Sequence, residues 1–187
     1  MYKIGILVAA VLFVIMALYM ASVAGDHATH DMDDGDHSAH VAMITSERAF
    51  LEHMIPHHEE AVAVAELVIQ KGTSFRPVAE LAEAIVAGQT TEIAQMKGLY
   101  QTWYSVPYED VGVYAPMMRP LTELSGTEFN RVFLEDMILH HEAAVVAAQA
   151  VLTLPISTET EGLARNIIID QEAEIALMQE LLSLLPK

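Results

Sequence analysis

The sequence predicts an all-α protein, a four-helix bundle made of two pseudo-symmetric helical hairpins and preceded by an N-terminal hydrophobic segment. Four stretches carry apolar residues at helical spacing, and no strand-like alternation competes with them. One cassette also occurs twice, since residues 50–65 and 133–148 are identical at 11 of 16 positions. A helical hairpin used twice therefore accounts for the region 45–187.

The four helices are placed by their start and stop signals. We expect them at about 46–70, 77–100, 127–154 and 158–184. Gly72 suits the end of the first helix, and Pro77 suits the start of the second. Short connections between successive helices predict antiparallel hairpins, over about 45–100 and 127–185. The stretch between the hairpins is predicted to be a loop, 101–126, because it contains Pro107, Gly112, Pro116 and Pro120.

The chain begins with an uncharged apolar run from Ile4 to Ala24. At about 1.5 Å per residue, such a helix just spans a hydrocarbon core of about 30 Å. Lys3 precedes the run and acidic residues follow it, which places the rest of the chain outside. Ser22-Val23-Ala24 also fits a cleavage site. Residues 1–24 are thus a signal peptide or a membrane anchor, and both predict a protein of the periplasm or cell envelope.

Residues 25–44 are predicted to form a flexible tail rich in His, Met and Asp. Its two repeated boxes are candidates for weaker metal sites, through His27, His30, Met32, His37, His40 and Met43. Cleavage after Ala24 would add a Cu(II) or Ni(II) site, because a free amine, two backbone amides and the His27 imidazole make a square-planar set.

Composition narrows the class of partner. The chain has 9 Lys+Arg against 26 Asp+Glu, which argues against binding to nucleic acid or to anionic lipid surfaces. It contains no cysteine, so thiolate metal sites, thiol nucleophiles and disulfides are excluded. Eleven methionines and nine histidines instead suit the binding of a soft metal in an oxidising compartment.

The core of the repeated cassette is Met-x-x-His-His, and its donors share one arc of about 100° on a helix. Thioether sulfur with imidazole nitrogen is a donor set for copper, especially Cu(I), and not for magnesium or calcium. The second helix of each hairpin repeats Gln-x-x-Glu-Ile-x-x-Met and should bring its methionine to the same site. The predicted metal ligands are Met54, His57, His58, Met96, Met137, His140, His141 and Met178.

Further polar residues share these faces. They could ligate the metal or accept the free N–H of a ligating imidazole: Gln89, Glu92, Gln171, Glu174, His53 and Asp136. The two copies differ, because His53 of the first is Asp136 in the second. Pro56, which is Leu139 in the second copy, should kink the first helix. The sequence therefore predicts two sites of unequal geometry. For each methionine the competing interpretation is core packing.

By these cassettes the chain resembles the family called domain of unknown function 305, over about residues 45–185. The resemblance implies a ferritin-like four-helix fold and an exported bundle that binds copper through Met and His. It also implies that the protein aids copper resistance and, by motif match, that the eight predicted residues ligate the copper. The tail and the hydrophobic segment lie outside the shared domain.

The leading hypothesis is an extracytoplasmic copper-binding protein, not an enzyme, that captures Cu(I) or Cu(II). It would buffer copper or deliver it to a transfer partner in the cell envelope, with silver as a Cu(I) mimic and membrane contact through residues 4–24 if uncleaved. Acid should loosen the histidine contribution, because protonation near pH 6–7 competes with the metal. The alternatives are a ferritin-like metal-dependent oxidase, whose Glu-x-x-His pairs are missing from the bundle sequence, and a structural bundle.

Overall fold

The computed structural model describes residues 44–186, which fold into four helices. The predicted hydrophobic segment and the six tail residues predicted to bind metal lie outside the described residues. Residues 44–186 contain no strand. The helices are α1 (Glu47–Lys71), α2 (Arg76–Tyr104), α3 (Gly126–Val151) and α4 (Thr158–Leu184). The prediction of a four-helix bundle is confirmed.

Local signals explain the helix boundaries. The Ser46 hydroxyl accepts a hydrogen bond from the Ala49 N–H and so caps α1. At its other end, Gly72 adopts a φ of 73° and donates its N–H to the Val68 carbonyl. α2 runs four residues beyond the predicted Tyr100, because Ser105, in the left-handed region, caps it only there. α1 continues through Pro56.

Contacts within the two hairpins dominate the bundle: α1 packs on α2, and α3 packs on α4. Between hairpins, α1 and α3 make the larger contact. The Ser157 hydroxyl at the start of α4 donates to the Glu47 carboxylate at the start of α1, at 2.6 Å, and ties the two hairpins together. Ile44, the last residue of the predicted tail, is buried. No helix within residues 44–186 is long and apolar enough to cross a membrane.

The hydrophobic core is divided into two clusters. One contains Ala61, Ala65 and Val68 of α1 together with the amino-terminal half of α3. The other contains the start of α1 and Ala144 to Val151 of α3. Between the clusters, all four helices place polar side chains in the interior. That layer, here called the histidine layer, consists of His57, His58, Gln89, His140, His141 and Gln171.

Residues 105–125 connect the two hairpins, and we call this segment the strap. It is held against α1 by Glu60, whose carboxylate accepts the backbone N–H groups of Met117 and Met118 at 3.1 Å. It is held against α3 by Asp136, which accepts from the backbone N–H and the guanidinium of Arg119 at 2.8 Å. The strap therefore lies beside the histidine layer, and its Tyr114 hydroxyl is 3.3 Å from His140 Nε2.

Candidate metal centre

Four histidines lie at the middle of the bundle with fully buried side chains: His57, His58, His140 and His141. Adjacent residues on a helix point about 100° apart. Each His-His pair therefore sends one ring toward the other hairpin and one toward its own partner helix. Their position between two apolar clusters makes every unpartnered nitrogen costly, unless a ligand takes it up.

Two histidines are held by carboxylates in the same way in both hairpins. His58 Nε2 lies 3.0 Å from Glu92 Oε2, and His141 Nε2 lies 2.7 Å from Glu174 Oε2. An ionised carboxylate only accepts hydrogen bonds, which assigns the ring proton to Nε2. Nδ1 then carries the lone pair, and in both rings Nδ1 is buried without a hydrogen-bond partner. This is the arrangement that orients an imidazole for metal binding.

His140 is held by a different carboxylate. Its Nε2 lies 3.3 Å from both Glu60 Oε2 and the Tyr114 hydroxyl, and Tyr114 donates to Glu60 in turn. Burial would raise the pKa of Glu60, but hydrogen bonds from His140, Tyr114 and the backbone of Met117 and Met118 outweigh it and lower the pKa to about 2. The ionised Glu60 thus fixes the proton of His140 on Nε2. Its Nδ1 is again buried and without a partner.

His57 packs against His140, with ring centroids 3.7 Å apart, and neither ring nitrogen of His57 has a hydrogen-bond partner. Burial, followed by the neighbouring His140, His58 and His53, lowers the pKa of His57 well below its usual value. Burial also lowers the pKa of His140, to about 4, although Glu60 opposes it. Both imidazoles are therefore neutral at pH 7. At His57 and His140, protons would therefore compete with a metal ion at a lower pH than the expected pH 6–7.

The four candidate thioethers are fully buried and sorted by hairpin. Met54 of α1 and Met96 of α2 belong to one cluster, and Met137 of α3 and Met178 of α4 belong to the other. The structure thus places the two methionines that the sequence assigns to each site in the same core cluster. They border the histidine layer as part of the core, so packing accounts for their burial whether or not they also ligate metal.

Gln89 and Gln171 are the amides of the histidine layer. They are 3% and 2% exposed, and neither the amide oxygen nor the amide nitrogen of either side chain has a hydrogen-bond partner. An unmade hydrogen bond at a buried polar group costs about 1–3 kcal/mol. The two glutamines occupy equivalent positions on α2 and α4, so each hairpin bears the same loss of folding free energy.

The residues that differ between the repeats have different environments. The His53 ring lies 6.0 Å from that of His57 and 5.6 Å from that of Tyr114, centroid to centroid. The carboxylate of Asp136, by contrast, binds Arg119 through both oxygens. Asp136 therefore anchors the strap, and both of its carboxylate oxygens accept hydrogen bonds from Arg119.

Glu60 and Tyr114 are the site residues that sequence reasoning missed. Glu60 stands where the second repeat has Ala143, so the one signal for it is a departure from the repeat. Tyr114 lies in the Pro- and Gly-containing strap, where no periodicity indicates its direction. Within residues 44–186, no three His, Asp or Glu side chains converge as a metal-binding group.

The fold and this site define an all-helical bundle with a repeated His/Met core motif, in which carboxylates hold buried imidazoles. The chain belongs to the family described as Domain of unknown function (DUF305), whose sequence profile matches residues 47–182. A comparison with curated proteins finds no match.

Several solved structures of similar proteins share the fold. The Cu(II)-bound form of CopM is 32% identical with a TM-score of 0.66, covering 74% of this chain and 96% of CopM. The Cu(I)-bound form gives the same identity and TM-score over 73% and 94%. A DUF305 fragment from Deinococcus radiodurans is 30% identical, with a TM-score of 0.64 over 73% of this chain and 94% of that one.

Proposed function

We propose that this protein is an extracytoplasmic copper-binding protein that captures copper in its helical bundle and buffers it or delivers it to a partner. Cu(I) is the form that best suits thioether and imidazole donors, and Cu(II) suits the imidazoles alone. We propose a binding role without catalysis, with copper as cargo.

One observation carries the proposal. Three buried imidazoles, those of His58, His140 and His141, each have Nε2 held by a carboxylate and Nδ1 left without a partner. A structural core has no use for that pattern, since each free nitrogen destabilises it. A metal ion bound at one of these Nδ1 atoms would satisfy that nitrogen, and the carboxylate on the same ring would raise the basicity of the ligand.

The relatives support copper as the metal. CopM has been solved with Cu(I), with Cu(II) and with silver. A family member from Streptomyces coelicolor, 26% identical with a TM-score of 0.62 over 72% of this chain and 90% of that one, is described in its name as predicted to be secreted. That name and the predicted N-terminal segment both support an extracytoplasmic location, with copper homeostasis or resistance as the wider role.

The decisive experiment is a competition for Cu(I) against a chelator such as bicinchoninate, with the protein beginning at Met43. We expect high-affinity binding by the wild-type bundle and its loss in the double variant His57→Ala/His140→Ala. Silver should compete with Cu(I). Unchanged competition by the double variant would refute the site. Iron-dependent oxygen consumption without copper affinity would favour the oxidase alternative instead.

A further inference from the structure

We infer that copper reaches the histidine layer through a pocket over His53, and that His53 is the first protein ligand of the incoming ion. The inference rests on the proposed copper-binding function and specifies its route. The pocket has a volume of about 230 Å³ and is lined by Ala49, Glu52, His53 and Val113. Since a water molecule occupies about 30 Å³, the pocket holds an ion with part of its hydration shell.

His53 is the most buried of the lining residues, with 1% of its surface exposed, whereas Val113 on the strap is 45% exposed. The described residues that line the pocket therefore extend from the exposed strap to a buried imidazole. Glu52 on its rim is fixed in place, because its carboxylate accepts from Arg48 Nε and from the Tyr100 hydroxyl, both at 2.8 Å. The pocket thus combines a carboxylate that is already paired with Arg48 and a more deeply buried imidazole.

From His53 a chain of imidazoles leads inward. The ring centroids of His53 and His57 are 6.0 Å apart, and those of His57 and His140 are 3.7 Å apart. A metal–imidazole nitrogen bond is about 2 Å long for an ion such as zinc, so two nitrogens that share an ion are about 4 Å apart. The rings are neighbours, so rotation of the side chains could bring successive nitrogens to that separation and allow the ion to pass inward.

Each transfer is a ligand exchange. A bond from copper to water or to the outer imidazole breaks as a bond to the inner nitrogen lone pair forms, and copper remains Cu(I). Tyr114 lines the path edge-on, with its ring 5.6 Å from His53 and 5.3 Å from His57. Its hydroxyl is engaged by Glu60, so the ring is held at one side of the route.

The equivalent position in the second hairpin is closed. Asp136 stands where the first repeat has His53, and Arg119 of the strap covers it with contacts from its backbone N–H and its guanidinium at 2.6–2.8 Å. The same strap therefore leaves a pocket over one copy and seals the other. The replacement of His53 by Asp136 in the second repeat thus accompanies a difference in access: the first hairpin has a pocket at this position, and the second is covered by Arg119.

The test compares Val113→Trp, which fills the pocket, with Val111→Trp, which adds the same bulk on the same strap at a residue 54% exposed and outside the pocket lining. Both are made in the full chain with the six predicted tail ligands replaced by alanine, so that only the bundle is measured: His27, His30, Met32, His37, His40 and Met43. The rate of Cu(I) transfer from bicinchoninate is followed by absorbance, and affinity is measured at equilibrium.

We expect Val113→Trp to slow uptake about tenfold with unchanged affinity, as expected for a change in access rather than in the site, while Val111→Trp keeps the parent rate. His53→Ala should also slow uptake. Equal rates for the two tryptophan variants, or uptake by His53→Ala at or above the parent rate, would overturn the route. Failure of the parent chain to take Cu(I) from the chelator would overturn the proposed function itself.

Discussion

The imidazole rings of His57 and His140 lie 3.7 Å apart, at an interplanar angle of 38°. The two residues are equivalent in the two repeats, so the hairpins meet through the same residue of each cassette. A positive charge on either ring would face the other in an interior closed to water. This contact links the stability of the metal-free protein to pH.

We predict that the metal-free protein loses stability as the pH falls from about 6.5 toward 4. The folded state lowers the pKa of His140 to about 4 and also lowers the pKa of His57, whereas the unfolded chain takes up these protons near pH 6.5. The unfolded state thus binds more protons in that window. For His140 alone, the free energy of unfolding should drop by about 3 kcal/mol.

Urea denaturation at several pH values, in the presence of a metal chelator, measures this. His140→Gln should flatten the curve between pH 6.5 and 4, because it removes one of the two groups. Below about pH 4.5 a second loss should begin, since the low pKa of Glu60 contributes stability that protonation removes. A wild-type curve that is level from pH 7 to pH 5 would contradict the assignment of neutral buried imidazoles.

The carboxylates on α2 and α4 should matter for copper affinity. We predict that Glu92→Ala weakens Cu(I) binding about 10- to 100-fold, because His58 loses the acceptor that keeps its proton on Nε2. Glu174→Ala should act likewise through His141. Chelator competition gives the affinities, and Glu83→Ala, an exposed carboxylate of the same helix, serves as the control for α2. Equal affinities for Glu92→Ala and Glu83→Ala would show that the pairing has no part in binding.

Two adjacent carboxylates, Asp136 and Glu135, bind Arg119 of the strap, and we predict that Asp136 contributes more to the free energy of unfolding. Asp136→Ala should cost about 2 kcal/mol of unfolding free energy, since it removes charge-assisted hydrogen bonds from Arg119 at a residue 7% exposed. Glu135→Ala removes a contact of the same arginine at 3.2 Å on the surface and should cost less than about 1 kcal/mol. Urea denaturation compares them, and similar losses for both would argue against the strap anchor.

The two buried amides, Gln89 and Gln171, should lower the stability of the metal-free protein while supporting copper binding. Gln89→Leu and Gln171→Leu should each stabilise the metal-free protein by about 1 kcal/mol or more, because each removes two polar atoms that have no partner. If these amides serve the metal centre, copper affinity should fall in the same variants. Thermal melting and chelator competition on the same samples test both effects. A destabilised apo-protein would mean that the amides have partners in solution.

The fold could be predicted because its signals are local and repeated. Helical periodicity, Gly72 and the prolines of the strap place the elements, and the duplicated cassette shows that the unit is a hairpin. The placement of Met54 and Met96 in one core cluster, and the contact of His58 with Glu92, follow from packing one repeated helix face against the other. These contacts depend on regular helix geometry, which spacing in a sequence encodes.

The rest of the site depends on the strap, and its path is not periodic. Tyr114 approaches His140 from a segment whose direction is set by Glu60 and Asp136, two carboxylates that the sequence cannot pair with distant backbone N–H groups. Asp136 stands at the position that is His53 in the first repeat, and its carboxylate accepts hydrogen bonds from Arg119 of the strap. The pKa values of the layer likewise depend on burial, which becomes known only with the packing.

Two identical hairpins related by a twofold axis would present a bound ion with two equivalent sides. Entry and exit would then be equally easy from either side. The connecting segment does not repeat with the hairpins, so its contacts with them need not follow that symmetry. Residues 105–125 leave a pocket beside His53 but bind Asp136 through Arg119. The two sides of the pseudo-symmetric bundle are therefore different. The proposed delivery of copper would use this difference between the two sides, which arises from chain connectivity.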